Sequence, residues 1–165
     1  MLGTEWAGNL PVMASGGNGK WRKILAVACI VLAMAACTGR PGAEPKNAAR
    51  VKQGEALYAQ HCASCHGAKR EGQADWRRRK PDGRLPAPPH NETGHTWHHP
   101  DPMLFSIVKH GMVPPLAPEG YQSDMPAFGG KLKDEEIWAV LSYIESAWPE
   151  EVWRVRDEML KQSGR

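Results

Sequence analysis

Four stretches of the chain carry apolar residues at three- and four-residue spacing, which puts them on one face of a helix. In the first, Asn47–Gln60, Val51, Gly54 and Leu57 or Tyr58 share that face, and Asn47 can cap the start. Gly54 lowers helix propensity, so its place on the buried face predicts that another helix crosses closely there. Asp101-Pro102 predicts a second helix, with Asp101 as cap and Pro102 at the first helical position; Leu104, Ile107 and Val108 face inward and Gly111 ends it. The third begins at Asp134, with Glu135 and Glu136 in its electropositive first turn, and carries the continuous stripe Ile137, Val140, Leu141 and Ile144 flanked by Trp138. This is a core helix and the expected partner of Gly54. Pro149 interrupts it, and Glu150–Gln162 predicts a short amphipathic helix with Val152, Val155 and Met159 inward. Between these stretches the polar positions dominate. Leu85-Pro86-Ala87-Pro88-Pro89 must be extended, because proline disfavours helix at the residue before it, and Met112–Gly120 is a proline-rich loop.

The N-terminal segment follows a different pattern. Lys20, Arg22 and Lys23 form a basic region, then Ile24–Ala36 run apolar and end in Leu32-Ala33-Met34-Ala35-Ala36-Cys37. That run is too short for a permanent transmembrane helix and reads as a secretory signal. It resembles a lipoprotein signal, a resemblance that implies a lipidated Cys37 as first mature residue; an ordinary cleaved signal is the alternative. The expected organisation is therefore a signal peptide over residues 1–36, with Met13 a possible true start, a flexible tether over 37–46 and a folded domain over 47–148. A short helix and frayed tail over 149–165 complete it.

Composition narrows the function. A net charge of +3 over 165 residues does not argue for nucleic acid, and no phosphate-binding loop is present. The basic run Trp76-Arg77-Arg78-Arg79-Lys80 reads as a solvated loop, or else as a docking patch for an acidic redox partner. Of the four cysteines, Cys29 leaves with the signal and Cys37 would carry lipid, so Cys62 and Cys65 remain without a disulfide to make between other pairs.

Those two cysteines stand in Cys62-Ala63-Ser64-Cys65-His66, the attachment pattern of a c-type haem. Each thiol can add across a haem vinyl group, and His66 can offer an imidazole nitrogen to the iron. A thioredoxin-like pair does not need the histidine, and a zinc site needs a second ligand pair. The extended proline segment can present a backbone carbonyl to the other ring nitrogen of His66, with Pro88 the candidate. His90, His95, His98 and His99 lie in ten residues and could bind copper or zinc, hydrogen-bond haem propionates or pack the loop; Trp97 suits a propionate, because a buried indole needs an acceptor. Met125, before Pro126, is the candidate distal ligand, with Met103 and Met112 as rivals.

From Asn47 to Trp148 the chain resembles a class I c-type cytochrome. The resemblance rests on the order helix, Cys62-Ala63-Ser64-Cys65-His66-Gly67, proline loop, short helix, Met125-Pro126-Ala127-Phe128, then Leu132-Lys133-Asp134-Glu135-Glu136-Ile137. It implies an all-α fold, with crossed N- and C-terminal helices around one covalently bound haem c. It also implies His66 and Met125 as axial ligands and a one-electron carrier rather than an enzyme. Lys133 departs from the pattern, since lysine cannot accept a capping hydrogen bond, and Asp134 is then expected to cap one residue later. The expected setting is a monomer on the periplasmic side of the bacterial envelope, anchored through Cys37 with the outer membrane preferred, or soluble in the periplasm. Its partners would be a redox protein donor and acceptor. Two other readings are a haem-bearing copper or sensor module using the His90–His99 loop, and a peroxidase-like protein in which a weak Met125 bond opens the iron.

Overall fold

A computed structural model describes residues 42–164. The expected signal peptide, Met13, Cys29 and Cys37 lie outside the described residues. Among those described, every regular element is helical: α1 (Ala48–His61), α2 (Ala63–His66), a 3-10 turn (Thr96–His98), α3 (Asp101–His110), α4 (Asp134–Glu145) and α5 (Glu150–Gln162). The fold is a small all-α cytochrome c fold.

Helix α1 starts where Asn47 Oδ1 accepts the Arg50 backbone N–H at 3.2 Å. It runs directly into the turn of α2, Cys62 N–H donating to Tyr58 O at 2.8 Å. Its closest neighbour is α4. A Cβ built on Gly54 would stand 1.9 Å from the Ala139 carbonyl oxygen and 2.9 Å from Tyr143 Cβ, so only glycine lets the two backbones meet. Helix α4 is buried on nearly every side: Ile137, Trp138, Ala139, Val140, Leu141, Ser142, Ile144 and Glu145 are all inside. Tyr58, Leu104, Phe128, Leu132 and Trp148 complete the core around it. Phe105 of α3 stacks on Trp138 with ring centroids 4.4 Å apart.

Several local expectations change. Asp101 is not the cap of α3: Pro100 holds that position, which puts Asp101 and Pro102 inside the first turn. The Asp101 carboxylate is instead taken by Arg156. Lys133 does stand at the cap of α4, and Asp134 does not replace it. The Glu136 carboxylate reaches back to the Lys133 backbone N–H at 2.8 Å, while Asp134 pairs with Lys109 at 2.7 Å. In α5 the buried residue is Arg156, and Val152, Val155 and Met159 are only half-buried. The ordered fold also reaches further back than Asn47. Ala43 packs against the core, and Glu44 N–H donates to Ser142 Oγ at 2.8 Å.

Candidate functional site

The turn of α2 brings Cys62, Cys65 and His66 together by local hydrogen bonding alone. Cys65 and His66 both donate to Cys62 O, at 3.1 and 2.9 Å, and Gly67 leaves the turn at a φ of 81°, where a side chain would be strained. Both cysteines are free thiols, Cys62 half-buried and Cys65 exposed. Burial, then the neighbouring Cys65, pushes the Cys62 thiol up to about 11.

His66 is buried, and its Nδ1 lies 2.8 Å from Pro88 O. A carbonyl can only accept, so this bond places the proton on Nδ1 and leaves the Nε2 lone pair for another partner. Burial lowers the His66 pKa, which favours the neutral, ligating form despite the opposing effect of the Pro88 bond.

The wall carrying Pro88 is fixed from several sides. Gly72 N–H donates to His66 O at 2.8 Å, Gln73 N–H to Ala87 O at 2.9 Å, and His90 N–H to Arg70 O at 2.8 Å. A Cβ on Gly72 would lie 2.4 Å from Pro89 N, and one on Gly94 2.0 Å from Pro89 O. Two glycines thus admit the chain on either side of the proline pair. Arg70 reaches Tyr143 O at 3.0 Å and lies over the Tyr143 ring, and Trp148 Nε1–H donates to His90 O at 2.9 Å. None of these long-range partners is signalled by a motif.

The four loop histidines pack mostly against different rings, though His95 and His99 meet each other. His90 stacks on His66 with centroids 3.8 Å apart, and burial with the nearby His66 and His95 keeps it well below its usual pKa. His95 stacks on Trp76 at 5.3 Å, His98 meets the edge of Trp97 at 3.9 Å, and His99 meets His95 edge-on. Among the described residues no three His, Cys, Asp or Glu are grouped to hold a metal ion. The Trp97 Nε1–H donates to Glu92 O at 3.3 Å, within its own loop.

Behind this loop lies a cluster that sequence reasoning missed. Arg156, only 3% exposed, donates to the carbonyls of Trp97 (2.9 Å) and His99 and to the Asp101 carboxylate. Glu145 is buried nearby. Desolvation, then the charge of Asp101, raises its carboxyl to about 8 against the pull of Arg156. The signal available in the sequence was an arginine among the inward positions of an amphipathic helix.

Met125 is half-buried and packs against the core; Met103 and Met112 are half-buried as well. Its backbone N–H donates to Ser123 Oγ at 3.1 Å. Just beyond it, Phe128 N–H donates to Val108 O and Gly129 N–H to Lys109 O, both at 2.9 Å, which joins the loop to the end of α3. Just before it, Asp124 meets Lys80 at 2.5 Å and Arg84 at 2.6 Å. Those hydrogen bonds, Lys80 first, hold its carboxyl below the usual range. The basic run is therefore folded rather than loose: Arg77 also lies over the Trp76 ring at 4.1 Å, and Arg79 donates to Gly83 O at 2.6 Å.

These residues fit a covalently held haem c. Two free thiols flank one helical turn, a neutral histidine has one nitrogen committed and one available, and half-buried apolar groups, including Leu57, Val108 and Met125, edge the core. When bound, haem c supplies an iron that cycles between ferric and ferrous states. The chain's part would be to hold that group through the two thiols and to fix the tautomer of His66.

No curated protein and no solved structure matches the chain. A family model described as cytochrome c oxidase, cbb3-type, subunit III matches residues 49–144, from the first turns of α1 to the end of α4. That span covers more than half of the chain and contains both the thiol turn and Met125. The chain belongs to this family and is a c-type cytochrome, which binds haem c covalently and transfers electrons through it.

Proposed function

We propose that the chain is a one-electron carrier with a single haem c, attached through Cys62 and Cys65 and ligated by His66 and Met125. The observation that carries this reading is the 2.8 Å contact from His66 Nδ1 to Pro88 O, which leaves Nε2 as the one available ring nitrogen. Met125 supports it as a soft sulfur donor on a loop packed against the same core. With both axial positions filled, the iron has no place for a substrate, and the protein passes electrons without bond chemistry.

The setting follows from the N-terminal pattern. A secretory signal and Cys37 would place the domain in the periplasm on a lipid anchor; among the described residues no helix is long and apolar enough to cross a membrane. The exposed Arg77, Arg78 and Arg79 suit an acidic face on a redox partner. The family description names an oxidase subunit, which makes an oxidase the first acceptor to test.

The test is the optical spectrum of the ferric and ferrous holoprotein, repeated on Met125→Ala. A far-red sulfur-to-iron band in the wild type that vanishes in the variant is the expected result. Its absence from the wild type would move the distal ligand elsewhere.

A further inference from the structure

The stretch from Tyr121 to Ala127 contains the proposed sixth ligand, and beyond the packing of Met125 against the core few hydrogen bonds hold it. Its first backbone bond, Tyr121 N–H to Pro118 O, is local, and the bond at Met125 goes to Ser123 two residues away. The next attachment comes only at Phe128. Among the described residues, the hydrogen bonds that leave this stretch for another part of the chain are those of Asp124, to Lys80 and Arg84.

The partner segment is built for that contact. Lys80 N–H donates to Arg84 O at 2.8 Å and Gly83 N–H to Lys80 O at 2.9 Å, so a tight turn brings the two cations side by side. Each takes a different oxygen of Asp124, Lys80 the Oδ2 and Arg84 the Oδ1. Arg79 of the same segment lies 5.9 Å from the Tyr121 ring centroid, a second point of contact. At its other end the segment is fixed by Trp76 stacked on His95.

We propose that Asp124 is a positioning residue for the distal ligand: its paired contacts to Lys80 and Arg84 form a clasp that holds the Met125 loop closed. The proposal rests on the reading of Met125 as ligand. All three side chains are about two-fifths exposed, at 38% for Lys80, 40% for Arg84 and 43% for Asp124. An exposed pair is weak and screened by salt, so the clasp is adjustable rather than permanent. Opening it would release the Met125 loop from its place beside the Lys80–Arg84 turn without unfolding the domain.

The experiment measures the rate at which imidazole replaces the native sixth ligand of the ferric holoprotein, alongside the far-red sulfur-to-iron band. Asp124→Asn is expected to raise the rate roughly three- to tenfold, with the band still present and the unfolding midpoint unchanged. Lys80→Gln with Arg84→Gln approaches the same rate from the other side, and Asp124→Glu, which keeps the charge, stays near wild type. Raising the ionic strength speeds the wild type toward Asp124→Asn and leaves that variant nearly unmoved. An Asp124→Asn rate equal to wild type, with Met125→Ala abolishing the band, overturns the clasp alone. A Met125→Ala protein that keeps the wild-type spectrum overturns the ligand reading and the clasp with it.

Discussion

His66 and Met125 share one proposed task, and the chain secures them by different means. His66 is buried, its ring bonded to Pro88 O and stacked on His90. The wall behind it is locked by backbone hydrogen bonds, by glycines that admit close approach, and by Arg70 and Trp148 reaching across from distant parts of the chain. Met125 is half-buried on a mostly exposed loop whose long-range polar ties are exposed ion pairs. Buried hydrogen bonds in a close-packed setting set one geometry and are costly to break. Exposed charges contribute little each and respond to salt. The proximal side is thus set when the chain folds, while the distal side is held loosely enough to yield first. If the two residues ligate iron as proposed, the fixed tautomer of His66 would hold one side constant while the softer side absorbs disturbance.

The comparison breaks most visibly at Arg156, which braces the loop beyond the proximal wall. Arg156→Ala strips the donor from two backbone carbonyls and leaves Asp101 and Glu145 close together without a cation. Arg156 is buried but Asp101 is one-third exposed, so the loss should approach the roughly 3–5 kcal/mol of a fully buried pair without exceeding it, read as a lowered denaturant midpoint of the holoprotein. A loss of under about 1 kcal/mol would mean that the loop is held by other contacts and the proximal side is less rigid than argued.

Glu145 tests the same brace through pH. Its folded pKa, raised to about 8 from an ordinary 4.5 chiefly by burial, exceeds that of the unfolded chain. Between those values the unfolded state releases a proton that the folded state keeps, so stability falls as pH rises from about 4.5 through about 8 and levels beyond. The facing charges are Asp101 from α3, which adds to the shift, and Arg156 from α5, which opposes it. Glu145→Gln, which cannot ionise, should flatten that slope and gain on the order of a few kcal/mol near neutral pH. Denaturation midpoints across the pH range check it; an unchanged slope would place the carboxyl's proton loss outside this window.

How legible this was in the sequence depends on how local each cause is. The helices follow from apolar periodicity, and the crossing at Gly54 follows from a glycine that lowers helix propensity on an otherwise apolar face. The thiol turn is contiguous, so its residues could be named at once. What escaped are the pairings that close long loops. Asp101 reads as a cap because its neighbours fit that pattern, yet a buried arginine 55 residues on competes for its carboxylate and wins. Lys133 offends the capping rule locally, but Glu136 satisfies the orphan donor from within the helix. His90 reads as a metal ligand by residue type, whereas the fold uses its ring as a stacking surface. Gly72 and Gly94 stand in no motif, and only the position of Pro89 shows why a side chain would not fit there.

The smallest change that compares the two sides is one methyl group, added at Gly94 on one and at Gly130 on the other. At Gly94 a new Cβ meets the Pro89 carbonyl oxygen at 2.0 Å and its carbon at 2.8 Å, backbone atoms that cannot swing aside as a side-chain end can. The clash must be relieved by moving Pro89, and with it the neighbouring Pro88 carbonyl that fixes His66. Gly94→Ala should therefore cost about 1–3 kcal/mol as overpacking does, and shift the reduction potential, because a weakened Pro88 bond makes His66 a less basic ligand. At Gly130, just past the Met125 loop, a Cβ meets nothing within 4 Å. Gly130→Ala should stay within about 0.5 kcal/mol of wild type, with the potential unmoved. Equal effects at the two sites, by denaturation and by redox titration of the holoproteins, would show that both sides are equally tight and that the distal loop is held by packing rather than by charge.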